Sequence, residues 1–171
     1  LNKKNIFVLA LPQLAEHKFL TWEQHWEEIY FLLETLKNYD SEIMVSLHPK
    51  MNRKKYEHLE KQFGCKILNE RLAEAIVISD IFISTFSSTI QWATLCGIKS
   101  LIVDFYGFGY SMYDYLETPA KIKDKRHFRN TLDDLIERKV DFSGDLEKLS
   151  KEDTFDGKTS LRYIKILKGL I

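Results

Sequence analysis

The feature that most constrains the fold is an alternation along the chain of short apolar runs and longer segments with helical periodicity. Five runs are rich in β-branched and other apolar residues: IFVLAL (6–11), EIMVSL (42–47), CKIL (65–68), IFIST (81–85) and SLIVDFY (100–106). Runs this short and this apolar are typical of parallel strands whose two faces are both covered by helices. The sequence therefore predicts an α/β fold, a Rossmann-like doubly wound parallel sheet with helices on both faces.

The segments between these runs predict the helices. Thr21 precedes the first helical stripe and Gln24 follows three residues later, which is the spacing of a capping box. We interpret the apolar and aromatic residues of that stripe as core: Trp22, Trp26, Ile29, Tyr30, Leu33 and Leu36. Further helices are predicted over 52–63 and 88–96, each followed by glycine, over 131–139, and over the terminal stretch 156–171. The charged run 121–129 is interpreted as solvated surface.

Length and charge limit the classes of function. Hydrophobic residues make up 44% of the 171 residues, so we predict a single domain, 1–171, with a real core. The 25 basic and 25 acidic residues cancel, so no overall charge attracts the chain to nucleic acid or anionic lipid. No run approaches the roughly 18 apolar residues of a membrane span, which leaves peripheral association with a membrane open.

The cysteines and the missing motifs exclude further classes. Cys65 and Cys96 lie in apolar segments without metal-ligand spacing, so we predict reduced core thiols and a cytoplasmic protein. No cluster of histidines or carboxylates has the spacing of metal ligands, and no metal or cofactor is expected. Neither a P-loop nor a GxGxxG fingerprint occurs, which disfavours an ATPase or a nicotinamide dehydrogenase.

His48 is the most informative single residue. It follows an apolar strand and precedes Pro49, which restricts the residue before it to extended conformations. Ligands of open α/β sheets bind outside the carboxyl ends of the strands. An imidazole held there can donate to a phosphate oxygen or protonate a leaving group near neutral pH. The alternative is a His-Pro pair that only ends a strand.

A cluster of hydroxyl residues, Ser87, Ser88 and Thr89, follows the fourth predicted strand. Backbone N–H groups and hydroxyls at a strand-to-helix turn can hold a phosphate together. The alternative is a helix cap, which needs only one hydroxyl.

Other polar residues near strand ends are weaker candidates to line the same cleft: Glu16, His17, Gln91, Asp104 and Tyr106. For Asp104 we also consider a role in capping the turn, and for Tyr106 packing below it.

These motifs resemble those of a known family. The order LHPK (47–50), FSSTIQWATLCGIKSLIVDFYG (86–107) and DGKTSLRYIK (156–165) resembles the C-terminal, nucleotide-sugar-binding half of GT-B glycosyltransferases. More narrowly, LHP and FSST look like the HP and SS/T motifs of bacterial sialyltransferases and Kdo transferases, which use CMP-activated sugars. The resemblance covers nearly the whole chain, and each motif is only two or three residues long.

The resemblance implies roles for particular residues. His48, with Pro49 and Lys50 beside it, would contact the nucleotide phosphate and assist departure of the leaving group. Ser87, Ser88 and Thr89 would bind the same phosphate.

The resemblance also implies an activity. The enzyme would be an inverting glycosyltransferase of bacterial capsule or lipopolysaccharide assembly, with a CMP- or UDP-sugar as donor and a glycan as acceptor. The general base would lie in an absent N-terminal domain, so that this chain would be a C-terminal fragment, inactive alone.

Two alternatives remain open. UDP-N-acetylglucosamine 2-epimerases share this half-fold, but their pattern close to SGGxQEE is matched here by SSTIQWA, with Trp92 and Ala93 in place of the carboxylates. His17 lies in the loop where epimerases keep a functional histidine, without their Thr-Gly-His-Arg pattern. The other alternative is a non-catalytic nucleotide-binding or interaction module.

Overall fold

The sheet has the architecture that the apolar runs predict. A computed structural model describes residues 4–151 and 158–168, and in it six parallel strands lie in the order β3-β2-β1-β4-β5-β6. The strands are β1 (Asn5–Ala10), β2 (Ser41–Ser46), β3 (Lys66–Ile67), β4 (Ile81–Ser84), β5 (Lys99–Val103) and β6 (Ala120–Ile122). The predicted Rossmann-like α/β fold is confirmed.

Seven helices connect and flank the strands within the described residues. They are α1 (Trp22–Leu36), α2 (His58–Phe63), α3 (Leu72–Ile76), α4 (Thr89–Leu95), α5 (Phe128–Glu137), α6 (Ser143–Lys151) and α7 (Thr159–Lys168). Two short 3₁₀ turns, Arg53–Lys55 and Lys125–His127, precede α2 and α5. None of the helices described is long and apolar enough to cross a membrane.

The strands are added on one side of β1 and then on the other: β2 and β3 lie on one side, and β4, β5 and β6 lie on the other. β1 pairs with β2 from Asn5↔Ser41 to Ala10↔Ser46 and with β4 from Phe7↔Ile81 to Ala10↔Ser84. Because all strands are parallel, the carboxyl ends of β1, β2 and β4 meet at one edge. That edge, at the switch point of the winding, is where ligands bind in open α/β sheets.

Alternate strand residues face two separate cores. Phe7 and Leu9 pack in a cluster with residues of α1, α2 and α5, whereas Val8 packs on the other face with residues of α3, α4 and α6. Burial on both faces explains why the strands read as continuous apolar runs.

The local signals for α1 are confirmed. The Thr21 hydroxyl accepts a hydrogen bond from the Gln24 N–H at 3.2 Å, and the Gln24 side chain accepts one from the Thr21 N–H at 3.0 Å. This capping box fixes where the helix begins. Trp22 and Trp26 are partly buried and pack against the core rather than forming its centre.

Several predicted boundaries were wrong. The helix expected over 52–63 is a 3₁₀ turn followed by an α-helix that begins only at His58. The helix expected over 131–139 begins at Phe128, and the fifth strand ends at Val103. The terminal helix is described for 159–168, and positions 156, 157 and 169–171 of the prediction lie outside the described residues.

Two interpretations of side chains were also wrong. The charged run 121–129 is not simply surface, because Ile122 is buried in β6 and pairs with Val103. Cys65 is buried, and its burial raises the pKa of the thiol to about 11. Cys96 is exposed at the end of α4 rather than in the core.

Candidate functional site

A cleft with two joined lobes runs along the carboxyl edge of the sheet at the switch point. Ala10, Leu11, His48 and Ser87 line both lobes. The basic lobe, of about 780 Å³, extends over β2 and β3 and is further lined by Pro49, Arg53, Glu70, Arg71, Ser88 and Thr89. The aromatic lobe, of about 460 Å³, extends over β1 and β4 and is further lined by Gln13, His17, Phe19, Ser84, Thr85 and Phe86.

His48 stands at the junction of the lobes, and its ring is oriented by the backbone that follows. Nδ1 accepts a hydrogen bond from the Lys50 N–H at 3.2 Å. The neutral ring therefore carries its proton on Nε2, which remains a donor for a ligand. The side chain of Lys50 lines neither lobe, and the contact of this residue with the candidate site is the hydrogen bond from its backbone N–H to His48.

The hydroxyl cluster contacts the start of α4 and also lines the basic lobe. Ser87 Oγ lies 2.6 Å from Thr89 Oγ1 and accepts the Thr89 N–H at 3.3 Å, so it satisfies the first N–H of α4, whereas Ser88 at the N-cap position makes no side-chain capping bond. Ser88 is exposed, and all three residues line the basic lobe. The cluster and His48 therefore face one space, although they lie about 40 residues apart in sequence.

Arginines are the residues of this cleft that sequence reasoning missed. The guanidinium of Arg53 donates to the carbonyls of Ile67 and Leu68, each at 3.0 Å, and is thereby held at the end of β3. Arg71 is exposed immediately before α3 and supplies a second positive charge to the lobe. Its position in the short loop between β3 and α3, four residues after the strand ends, was the signal that could have found it.

Glu70 places one carboxylate among these cations. Its own N–H and that of Asn69 hold the pKa of the carboxyl below its usual value, with Lys66 acting in the same direction. The Asn69 N–H donates to Glu70 Oε2 at 3.0 Å. The lobe thus contains two arginines and one ionised carboxylate.

Of the weaker candidates, only His17 lies in the cleft, where it is exposed in the aromatic lobe. Glu16 points elsewhere and accepts the hydroxyl of Tyr56 at 2.7 Å. Gln91 donates to the hydroxyl of Tyr115 at 3.1 Å and lines neither lobe.

Asp104 and Tyr106 serve the turn after β5. The buried carboxylate of Asp104 accepts the N–H groups of Phe108 at 2.9 Å and Gly109 at 3.0 Å. Burial raises the pKa of Tyr106, whose hydroxyl is paired with Thr85. Neither residue lines the cleft, which agrees with the capping and packing alternative.

The cleft contains no cluster of metal-ligand type. Within residues 4–151 and 158–168, no group of three or more histidines, cysteines or carboxylates is placed to hold a metal ion.

Comparison with known proteins shows a likeness to solved structures. Two structures of UDP-GlcNAc 2-epimerase from Methanocaldococcus jannaschii superpose on this chain, both at 14% sequence identity. One, in complex with UDP-GlcNAc and UDP, has a TM-score of 0.69 and the other a TM-score of 0.65. The likeness shows a shared fold.

The extent of the match is asymmetric. The superposition covers 96% of this chain and 45% of the first epimerase, and 98% of this chain and 46% of the second. The chain thus spans less than half the length of those proteins. No family model matches the sequence, and no curated protein matches it either.

Proposed function

We propose that this chain is a nucleotide-sugar-binding domain, the donor half of a two-domain glycosyltransferase. The observation that carries the proposal is the meeting of His48 with the Ser87–Thr89 hydroxyls in one cleft at the switch point. The finer proposal follows the motif resemblance: an inverting enzyme of bacterial surface-polysaccharide assembly that transfers a nucleotide-activated sugar to a glycan acceptor.

The chemistry of the cleft suits a departing nucleotide. When a glycosidic bond to phosphate breaks, negative charge gathers on the phosphate oxygens. The Nε2–H of His48, the hydroxyl of Ser88 and the guanidinium of Arg71 can donate to such an anion, and the Ser87 hydroxyl can do so when Thr89 donates within their pair. Donors set in place beforehand lower the barrier. The general base and the acceptor site belong, in this proposal, to the other half of the protein.

A 2-epimerase is the second candidate, because the fold is shared with UDP-GlcNAc 2-epimerases and His17 lies in the cleft. Against it stands Trp92, which is partly exposed and lines the basic lobe at the position where the epimerase pattern has a carboxylate. Product analysis separates the two activities, since an epimerase needs no acceptor. A non-catalytic module would bind nucleotide without any turnover.

Calorimetric titration of this chain with UDP, CMP, uridine and cytidine tests the proposal. We expect one nucleotide to bind at least tenfold more tightly than its nucleoside, and Ser87→Ala/Ser88→Ala to remove most of that preference. The matched control is Ser143→Ala/Ser150→Ala, which removes two exposed hydroxyls on α6. Equal affinity for nucleotide and nucleoside, or no binding of either nucleotide, would contradict the proposal.

A further inference from the structure

The two lobes of the cleft differ in charge. The basic lobe contains Arg53 and Arg71 with one carboxylate, Glu70. The aromatic lobe is lined by no lysine, arginine, aspartate or glutamate of the described residues, and its titratable side chains are the imidazoles of His17 and His48. A phosphate is therefore favoured at the basic lobe and at the junction, whereas the aromatic lobe suits an uncharged part of the ligand.

Two phenylalanines from different loops, Phe19 and Phe86, line the wall of the aromatic lobe, and a third, Phe108, packs against both of them to complete a phenylalanine platform. Phe19, Phe86 and Phe108 follow β1, β4 and β5, and 63%, 38% and 44% of their surfaces are exposed. Phe108 contacts the other two edge to face, with ring centroids 6.0 Å from Phe19 and 5.8 Å from Phe86. Covering such exposed aromatic faces with the apolar C–H face of a ligand ring removes apolar surface from water, which favours binding.

The floor of the same lobe contains a buried hydroxyl that lacks a partner. Ser84 ends β4 and is 2% exposed, and its Oγ makes no hydrogen bond within the part of the chain that the structure describes. An unpaired buried hydroxyl is costly. A ligand hydroxyl in the lobe would supply the missing partner, which an apolar ligand cannot do.

We propose that the aromatic lobe binds the sugar ring of the nucleotide-sugar and selects a neutral pyranose over an acidic sugar. This inference rests on the proposed function and names the class of donor. The phosphate occupies the junction at His48 and Ser87, and the attached ring lies on the phenylalanine platform with a hydroxyl directed to Ser84. A carboxylate on the ring, as in sialic acid or Kdo, would meet no lysine or arginine among the described residues of this lobe.

Titrations that share one nucleotide test the inference. The ligands are UDP, UDP-glucose, UDP-N-acetylglucosamine and UDP-glucuronic acid, with CMP and CMP-sialic acid as a second series. We expect each neutral UDP-sugar to bind at least about fivefold more tightly than UDP. UDP-glucuronic acid should bind no more tightly than UDP, and CMP-sialic acid no more tightly than CMP. Phe19→Ala and Ser84→Ala should each reduce the gain in affinity that a neutral sugar gives and leave the affinity for UDP unchanged.

Ser100 provides the control variant. Its hydroxyl is also buried and unpaired among the described residues, but it lines neither lobe, so Ser100→Ala should leave the sugar gain unaltered. The inference is overturned if neutral sugars add nothing to UDP binding, if the gain survives in both Phe19→Ala and Ser84→Ala, or if an acidic sugar gains more than a neutral one.

A separate probe distinguishes failure of this inference from failure of the proposed function. Saturation-transfer NMR with free N-acetylglucosamine and free glucuronic acid reports the aromatic lobe without any nucleotide. A signal from the neutral sugar that disappears in Phe19→Ala supports the sugar site even if no nucleotide binds. Absence of that signal in the unmodified chain, or its persistence in Phe19→Ala, overturns the sugar site even if UDP or CMP binds.

Discussion

The hydroxyl of Tyr56 donates a 2.7 Å hydrogen bond to Oε1 of Glu16, 40 residues earlier in the chain. Nε2 of His25 lies 2.9 Å from the same hydroxyl. Because Tyr56 has one proton and gives it to Glu16, His25 donates to the tyrosine oxygen. Tyr56 and His25 are both buried. The hydrogen bonds among these three side chains connect the loop between β1 and α1, which contains Glu16, to the segment before α2, which contains Tyr56. That loop also carries His17 and Phe19 into the cleft.

Tyr56→Phe should destabilise the domain. It removes both hydrogen bonds and leaves the Glu16 carboxylate and the His25 ring without their partner, which costs about 1–3 kcal/mol for buried groups. Urea denaturation measures the loss. The matched control is Tyr39→Phe, which removes a 2.6 Å bond to the exposed Asp133 and should cost less than about 1 kcal/mol, since water can replace the tyrosine. Equal losses in the two variants would contradict this account.

Stability should fall as the pH drops below the usual range of histidine. Burial lowers the pKa of His25, and Glu16 opposes this effect only in part. Above about pH 6.5 both the unfolded and the folded forms are neutral, so the contribution of His25 is complete there. Below that pH the unfolded chain takes up a proton before the folded one does, so the free energy of unfolding decreases.

The measurement is urea denaturation at pH 5.5 and pH 7.5. His25→Gln should flatten the difference between the two pH values, because it removes the buried imidazole. His127→Gln, which replaces an exposed histidine away from Tyr56 and Glu16, is the control for substitution of a histidine. The same pH difference in His25→Gln as in the unmodified chain would count against the assignment.

The pattern of apolar runs was enough to predict the sheet, but not all of its elements. β6 was not predicted, because Ile122 is the one buried residue of this three-residue strand and lysines flank it. An edge strand needs only a few inward side chains, and lysines there prevent pairing with other chains. Helix α3 is five residues long, too short for a helical period to be recognised.

The proximity of the predicted residues was correctly expected where the backbone alone determines it. Parallel strands have their carboxyl ends at one edge of the sheet. Because His48 and Ser87–Thr89 each follow the end of a strand, their proximity could be predicted without any knowledge of side-chain packing. The orientation of Glu16 toward Tyr56 and the placement of Phe108 beside Phe19 depend on tertiary packing between distant segments. No spacing in the sequence encodes such contacts.

Ser84→Ala should stabilise the domain although we assign Ser84 to ligand binding. Removing a buried hydroxyl that lacks a partner among the described residues relieves a cost of about 1 kcal/mol. For a chain of this length that corresponds to a rise in melting temperature of about 2–4 °C. Ser100→Ala removes a hydroxyl in the same condition and should give a similar rise. A fall in melting temperature in both variants would show that the hydroxyls are satisfied.

Under the proposed function, His48→Ala should lower turnover of a two-domain enzyme by at least tenfold, because the leaving phosphate would lose the Nε2–H donor at the junction of the lobes. Initial rates with a nucleotide-sugar donor measure the effect. His127→Ala, on an exposed histidine outside the cleft, is the control. Unchanged turnover in His48→Ala would remove the catalytic role from this residue.

Mapping the nucleotide on the chain by NMR shows directly whether this cleft binds it. Amide resonances of the unmodified chain are recorded during titration with UDP and with CMP. We expect the largest shifts at His48, at Arg71 and at Ser87–Thr89, and none on α5, which packs on one face of the sheet and lines neither lobe. Shifts confined to other surfaces, or no shifts with either nucleotide, would contradict the assignment of this cleft as a nucleotide-sugar site.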